Sequence, residues 1–264
     1  MKVQDKVIVV TGGGSGIGRE LVLQLLEKGA KVAMVDLRPE GMKAIEERIG
    51  KDNRRLSSHL LDISNRDAVY AFPAEVIKIH GQVDAIVNNA GIIQPFVPVN
   101  ELEDAVTEKI FNVNFYGTLY MVKAFLPHLL KRQEAHIVNV SSMGGFIPFP
   151  GQTCYGASKA AVKLLTEGLR SELKETNVGL TLVLAGAVST NIVTNSGLDL
   201  GNRDLSKAGN MLQADDAAKQ IIRAMERNKF KFLLGKDAKF LDFLYRLIPS
   251  RASMFIAHKM DDFK

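Results

Sequence analysis

The run Thr11-Gly12-Gly13-Gly14-Ser15-Gly16-Ile17-Gly18 constrains this chain more than any other stretch. So much glycine destabilises a helix or strand interior, so the run reads as a turn. Lys6-Val7-Ile8-Val9-Val10 before it is a short apolar, β-branched strand. After it, Leu21, Val22, Leu25 and Leu26 recur at helical spacing between Arg19 and Lys28, and Gly29 ends the helix. Lys31 to Val35 forms a second strand with Asp36 at its end. Strand, glycine turn, helix and strand make a βαβ unit. Its helix start offers unpaired N–H groups to a pyrophosphate, which predicts a bound dinucleotide. Asp36 falls about twenty residues after the turn, where a carboxylate accepts from both ribose hydroxyls of an adenosine. The spacing is TGxxxGxG, not GxGxxG, because Ile17 stands where the third glycine would fall.

The alternation continues. Arg55 to Leu61, Asp84 to Val87, His136 to Val140, Val178 to Leu184 and Phe230 to Leu234 read as strands. Asp67 to His80, most of Glu101 to Leu130, Thr153 to Thr176 and Asp215 to Arg227 read as helices. This pattern predicts an α/β fold: a doubly wound, parallel, Rossmann-type sheet of about seven strands with helices on both faces. Residues 1–264 are expected to form one domain, with a core over 1–235 and an apolar C-terminal extension over 236–264. Ligands of such sheets sit beyond the carboxyl ends of the strands. Asp36, Asp62, Asn89, Ser142 and Gly186 all follow strand ends, so they are expected around one crevice.

Tyr155-Gly156-Ala157-Ser158-Lys159 opens the helix at Thr153. Tyr and Lys four apart share a helix face. An ammonium beside a phenol favours the phenolate and makes the tyrosine a general acid/base. Alone, such a pair is far more often an ordinary solvated helix face.

Composition narrows the alternatives. One cysteine, Cys154, excludes an intrachain disulfide and a cysteine metal cluster, and fits a cytoplasmic setting. The five histidines show no spacing with one another or with carboxylates, so no metal site is expected. Net charge is +5 without a long Lys/Arg run, so no nucleic-acid surface is expected. No apolar run approaches a membrane span, and the N-terminus lacks a signal-peptide layout.

With these residues in view, the chain resembles the short-chain dehydrogenase/reductase family from Lys6 to about Gly235. The resemblance rests on Thr11-Gly12-x-x-x-Gly16-x-Gly18, Asn88-Asn89-Ala90-Gly91, Asn114, Ser142 and Tyr155-x-x-x-Lys159. It implies an oxidoreductase moving a hydride between a nicotinamide cofactor and a secondary alcohol or ketone. Asn114, Ser142, Tyr155 and Lys159 would be the catalytic tetrad. Tyr155 would exchange a proton with the substrate oxygen and Ser142 would hydrogen-bond that oxygen. Lys159 would hold the nicotinamide ribose, and Asn114 would hold a water relaying protons to it. By the same resemblance, Gly12, Ser15, Gly16, Ile17, Gly18 and Asp36 would contact the cofactor. So would Asp62, Ile63, Asn89, Ala90 and Gly91, and, at the nicotinamide end, Tyr155, Lys159, Gly186, Val188 and Thr190. Asn88 would be structural. Asp36 favours NAD over NADP, because a carboxylate there repels a 2′-phosphate. A homodimer or homotetramer is implied as well. One departure stands out: the family usually has Pro-Gly after the sixth strand, and this chain has Ala185-Gly186, losing a fixed φ.

The segments flanking the expected substrate are apolar: Ile92, Ile93 and Phe96, then Met143 to Pro150, then Ile192 and Val193. No Arg or Lys lies among them, which favours a lipophilic substrate, steroid-like or fatty-acyl. In the extension, Ala238 to Ile248 is apolar round most of a helix that Pro249 stops. Its burial is expected against the substrate cleft or a second subunit, with peripheral contact to a membrane surface as the third alternative.

Overall fold

The computed structural model describes residues 1–50, 53–190, 192–198 and 211–261. The elements follow the alternation of the sequence. The first βαβ unit is β1 (Val7–Thr11), α1 (Gly16–Glu27) and β2 (Lys31–Asp36), followed by α2 (Pro39–Ile49) and β3 (Leu56–Leu60). Next come α3 (Arg66–His80), β4 (Ala85–Asn88), α4 (Asp104–Phe111), a π-helical turn at Asn112–Gly117, α5 (Thr118–Leu129) and β5 (Ala135–Ser142). The chain continues through α6 (Thr153–Glu172), β6 (Val178–Ala185), β7 (Val188–Ser189), α7 (Ile192–Asn195), β8 (Leu212–Gln213) and α8 (Ala214–Glu226). It ends with β9 (Lys231–Leu234), α9 (Lys236–Leu247) and α10 (Pro249–Asp261).

Seven strands form one parallel sheet in the order β3-β2-β1-β4-β5-β6-β9, and β7 pairs β8 apart from it. Val10 sits between Met34 and Val87 in register. The strand order reverses between β1 and β4, where open α/β sheets leave a crevice beyond the strand ends. The two-residue period of each strand feeds two cores. Ile8, Val10, Val32 and Met34 join Leu21, Val22 and Leu25 of α1 and Ile221 of α8 on one face. Val7, Val9 and Val35 join Phe72 of α3, Phe125 of α5 and Leu169 of α6 on the other. A strand buried on both faces has no polar alternation, as the run Val7–Val10 displays.

Three local features depart from the expected pattern. The long helix from Glu101 to Leu130 is split, with a widened turn at Asn112–Gly117 whose Gly117 lies against Ile63. Pro249, expected as a stop, is also the first residue of α10; its fixed φ suits a first helical turn, where the N–H is not needed. Two of the histidines do meet: the Ser57 hydroxyl lies 2.8 Å from Nε2 of both His59 and His80, between β3 and α3.

The extension covers the core on one side only. Leu241 of α9 and Ala252 and Ile256 of α10 pack with Ile147, against Met143, Phe146 and Phe149. Phe240, Phe243 and Leu247 on the other side of α9, and Ile248, Met254 and Phe255 beyond it, stay exposed. No described helix is long and apolar enough to cross a membrane.

Candidate active site

The glycine turn is built for close approach. Gly12 and Gly16 have φ of +65° and +51°, values that side chains other than glycine rarely adopt. A Cβ on Gly18 would lie 1.9 Å from the Gly12 carbonyl oxygen, so the third motif glycine seats α1 against the turn. Gly13 N–H donates to Val35 O at 2.9 Å. Asp36 accepts from Gly14 N–H at 2.9 Å through one oxygen and from Arg38 N–H at 3.0 Å through the other. The first turn of α1 has neither an acidic residue nor a capping bond from Ser15, so its amides are free to meet an anion. A cavity of about 410 Å³ opens here, with Ser15, Gly16, Arg19, Asp36, Arg38 and Thr190 in its wall.

Across the crevice, the end of β4 is pinned to the end of β1. Thr11 Oγ1 accepts from Asn89 N–H and Ala90 N–H, both at 3.1 Å. Asn89 Nδ2 donates to Thr11 O at 3.0 Å, so this side chain secures the glycine turn itself. Asn88 Nδ2 donates to Asn139 Oδ1 at 2.8 Å and ties β4 to β5, the structural role expected of it. Asp62 is exposed and holds Ser64, and Ile63 is buried in the core. Ile17 and Val188 also turn their side chains to the core.

Tyr155 and Lys159 lie one turn apart on α6, and Ser142 ends β5 beside them. The Ser142 side chain lies beside the Tyr155 phenol and favours its ionised form, and Gly144 lies against both. Ser142 Oγ accepts from Gly144 N–H at 3.1 Å, which fixes its orientation. Lys159 is 5% exposed, and its Nζ donates to Val140 O at 3.1 Å. A Cβ on Gly91 would sit 2.9 Å from that Nζ and 3.2 Å from Asn114 Oδ1, so any larger residue in the β4 loop would crowd both side chains. Asn114 is fully buried in the π-helical turn. It exchanges two bonds with the Ile92 backbone, at 2.9 and 3.0 Å, and donates to Ser158 Oγ at 3.0 Å. Its amide group thus clamps the β4 loop to α6, a role the sequence did not suggest.

The electrostatics differ from the sequence expectation in one respect. Burial raises the Tyr155 phenol above its ordinary value, and the neighbouring Ser142 side chain only partly offsets this. Burial lowers Lys159 to about 8. Desolvation disfavours both charged forms, and it outweighs the help the ammonium was expected to give the phenolate.

The loop after β6 completes the crevice. Gly186 N–H donates to Leu234 O at 2.8 Å, and the Ala187 N–H donates to Asp237 Oδ2 at 2.6 Å. Thr190 packs against Gly16, and Asn195 Nδ2 donates to Ser15 Oγ at 2.8 Å. The sequence reading assigned no role to Asp237, Thr11 or Ser158. Each acts on the backbone or side chain of a residue at least several turns away in sequence, and such pairings leave no local pattern.

The family description "short chain dehydrogenase" matches residues 6–200. This chain belongs to the short-chain dehydrogenases. It is 35% identical over 263 residues to the putative oxidoreductase SadH of Mycobacterium tuberculosis, covering 96% of this chain and 95% of that one. Among solved structures, a short-chain dehydrogenase/reductase from Burkholderia phymatum in complex with NAD superposes with a TM-score of 0.81 at 26% identity, covering 88% of this chain and 90% of that one. A short-chain dehydrogenase from Burkholderia cenocepacia in complex with NADP also gives 0.81 at 26% identity, covering 97% and 99%. A member of this family is an oxidoreductase that uses a nicotinamide cofactor. The residues here fit that group: the uncapped first turn of α1 adjoins the cavity walled by Ser15, Gly16, Asp36 and Arg38.

Proposed function

We propose that this short-chain dehydrogenase interconverts a lipophilic secondary alcohol and its ketone, with NAD as the preferred cofactor. The observation that carries the reading is the Tyr155 phenol set beside Ser142, with Lys159 buried one turn behind it. When bound, the nicotinamide gives or takes the hydride. Tyr155, neutral at rest, is set to give its proton to the oxygen of a ketone as that oxygen gains charge. Ser142 donates to the same oxygen and steadies the charge. Lys159 holds the cofactor ribose and, when protonated, favours return of the phenolate form during alcohol oxidation. Asn114 keeps the β4 loop and α6 at a fixed separation, so a water relay would run past its clamp and not through a loose side chain.

Apolar surroundings support a lipophilic substrate. A Cβ on Gly144 would lie 3.6 Å from the Tyr155 ring and 3.8 Å from the Phe149 ring, so both aromatic rings border this one glycine. Phe149, Met143 and Phe146 are backed by α9 and α10. A cytoplasmic homodimer or homotetramer belongs to the same reading, with the exposed side of α9 as subunit contact. One domain over residues 1–264 is part of it too.

The test is a panel of secondary alcohols and ketones of increasing apolar size, with both dinucleotides. Turnover should rise with apolar size, and Tyr155→Phe should lower it about 10²–10⁴-fold while NADH stays bound. Near-native turnover by Tyr155→Phe would remove Tyr155 from the proton-transfer role.

A further inference from the structure

The helix that carries Tyr155 starts without a side-chain cap of its own. Gln152 occupies the N-cap of α6, yet its side chain makes no bond to the first-turn amides. It donates instead to Gln94 O at 2.9 Å and to Gly151 O at 3.1 Å. Tyr155 is at the third helical position, whose N–H an N-cap side chain ordinarily satisfies. Here that N–H donates to Gln94 Oε1 at 2.9 Å, across 61 residues of chain. Gln94 Nε2 donates to Gly151 O at 2.9 Å, and the whole residue is 0% exposed.

Gln94 belongs to the loop whose Gly91 touches Lys159 and whose Ile92 is clamped by Asn114. One loop therefore meets three members of the site: Asn114 at Ile92, Lys159 at Gly91, and Tyr155 at Gln94. A bond to the Tyr155 backbone fixes where its ring rises from α6, and so its reach to Ser142. A hydrophobic residue of equal volume would fill the same space and leave the amide unpaired. Such a buried amide, with both its nitrogen and its oxygen bonded, is a specifying device rather than filler.

We propose that Gln94 is a positioning residue for Tyr155, supplying from the β4 loop the cap that α6 lacks. The inference rests on the reading of Tyr155 as the proton-transfer residue. An uncharged acceptor is the suitable one there, because a carboxylate against the tyrosine would oppose its phenolate.

Two variants and two readouts test it. Gln94→Met matches the length and removes the acceptor. Its kcat on the best panel substrate should fall about 10- to 100-fold, the penalty of a small misplacement, with the NADH dissociation constant changed less than twofold. Gln94→Glu should be near wild type at pH 6, where its buried carboxyl is protonated and bonds both partners as the amide does. Its kcat should then decline with rising pH along a limb that the wild type lacks, and this arm holds even if Gln94→Met fails to fold. The second readout is the ring signal of Tyr155 in protein labelled with [13Cζ]tyrosine, assigned by its loss in Tyr155→Phe. It should move in both variants, Gln94→Glu above pH 6, and needs no substrate. Wild type inactive on the whole panel would count against the proposed reaction, and the Tyr155 signal would still judge Gln94. An unmoved signal, or pH profiles that superimpose in an active enzyme, would overturn the proposal.

Discussion

Lys159 should make the folded protein less stable than it need be. Burial moves its ammonium from 10.5 to about 8, which corresponds to about 3 kcal/mol at 1.36 kcal/mol per decade. The sign follows from proton binding. The unfolded chain holds the Lys159 proton more tightly than the folded one, so the full penalty is present below pH 8 and fades as pH rises to 10.5. Methionine has similar length and no charge. Lys159→Met would remove that penalty and lose one hydrogen bond, to Val140 O, worth about 1 kcal/mol. The net expectation is a gain of about 2 kcal/mol at pH 7, shrinking to about 1 kcal/mol at pH 9. Guanidinium unfolding followed by circular dichroism, at both pH values, measures it. The same variant should lack turnover, a trade of stability for activity of the kind active sites store. A Lys159→Met protein less stable than wild type at pH 7, or a gain independent of pH, would refute the reasoning.

Other outcomes are expected from the same structure. His136 is buried against Thr181 and lowered to about 3 by desolvation, so the folded state resists the proton that the unfolded chain accepts below 6.5. Between pH 6.5 and 4.5, urea titrations should find wild type losing about 2 kcal/mol more than His136→Gln, and parallel losses would exclude the linkage. Asp36, anchored by two backbone N–H groups, should make NADH bind more tightly than NADPH, with Asp36→Asn narrowing the gap; tighter NADPH binding to wild type would reverse the assignment. Phe243 is 64% exposed and Leu247 63%, on the uncovered side of α9. Replacing both with Asp should lower the mass seen by light scattering, and an unaltered mass would move the subunit contact elsewhere.

What could be read from the sequence was local. The strand Lys6 to Val10, the glycine turn, and the apolar spacing of Leu21, Val22, Leu25 and Leu26 are each short-range, and all appear as expected. Tyr155 and Lys159 were legible because helical spacing alone puts them on one face. The π-helical turn was not, because one extra residue per turn hardly disturbs the apolar pattern between Glu101 and Leu130. The direction of the Tyr155 shift was not either: a charge neighbour can be read from spacing, whereas depth of burial depends on the packing of β5 and its following loop around α6. The apolar circumference of α9 was legible as something needing cover, and one side is covered by Ile147 and the aromatic residues of the β5 loop. Nothing in the sequence divided that circumference into an inner and an outer side.

The substitution of Ala185 for the usual proline raised the question of what holds the loop that would face the nicotinamide. The answer lies in the extension. Asp237, in the first turn of α9, accepts the Ala187 N–H, and its carboxylate occupies the space beside Gly186 and Gly235. A Cβ on Gly186 would come within 2.2 Å of Asp237 Oδ1, so glycine here serves the carboxylate as much as any ligand. A proline would restrict the loop through its own φ. Asp237 restricts it from outside, through a hydrogen bond across 50 residues of chain. The two devices differ in what they depend on. The constraint at Ala187 exists only while α9 is docked, and α9 is docked through Leu241 onto the same β5 loop that carries Phe149 and the Gly144 beside Tyr155. The extension therefore joins the substrate wall and the cofactor loop in one packed unit, and displacement of α9 would loosen both together.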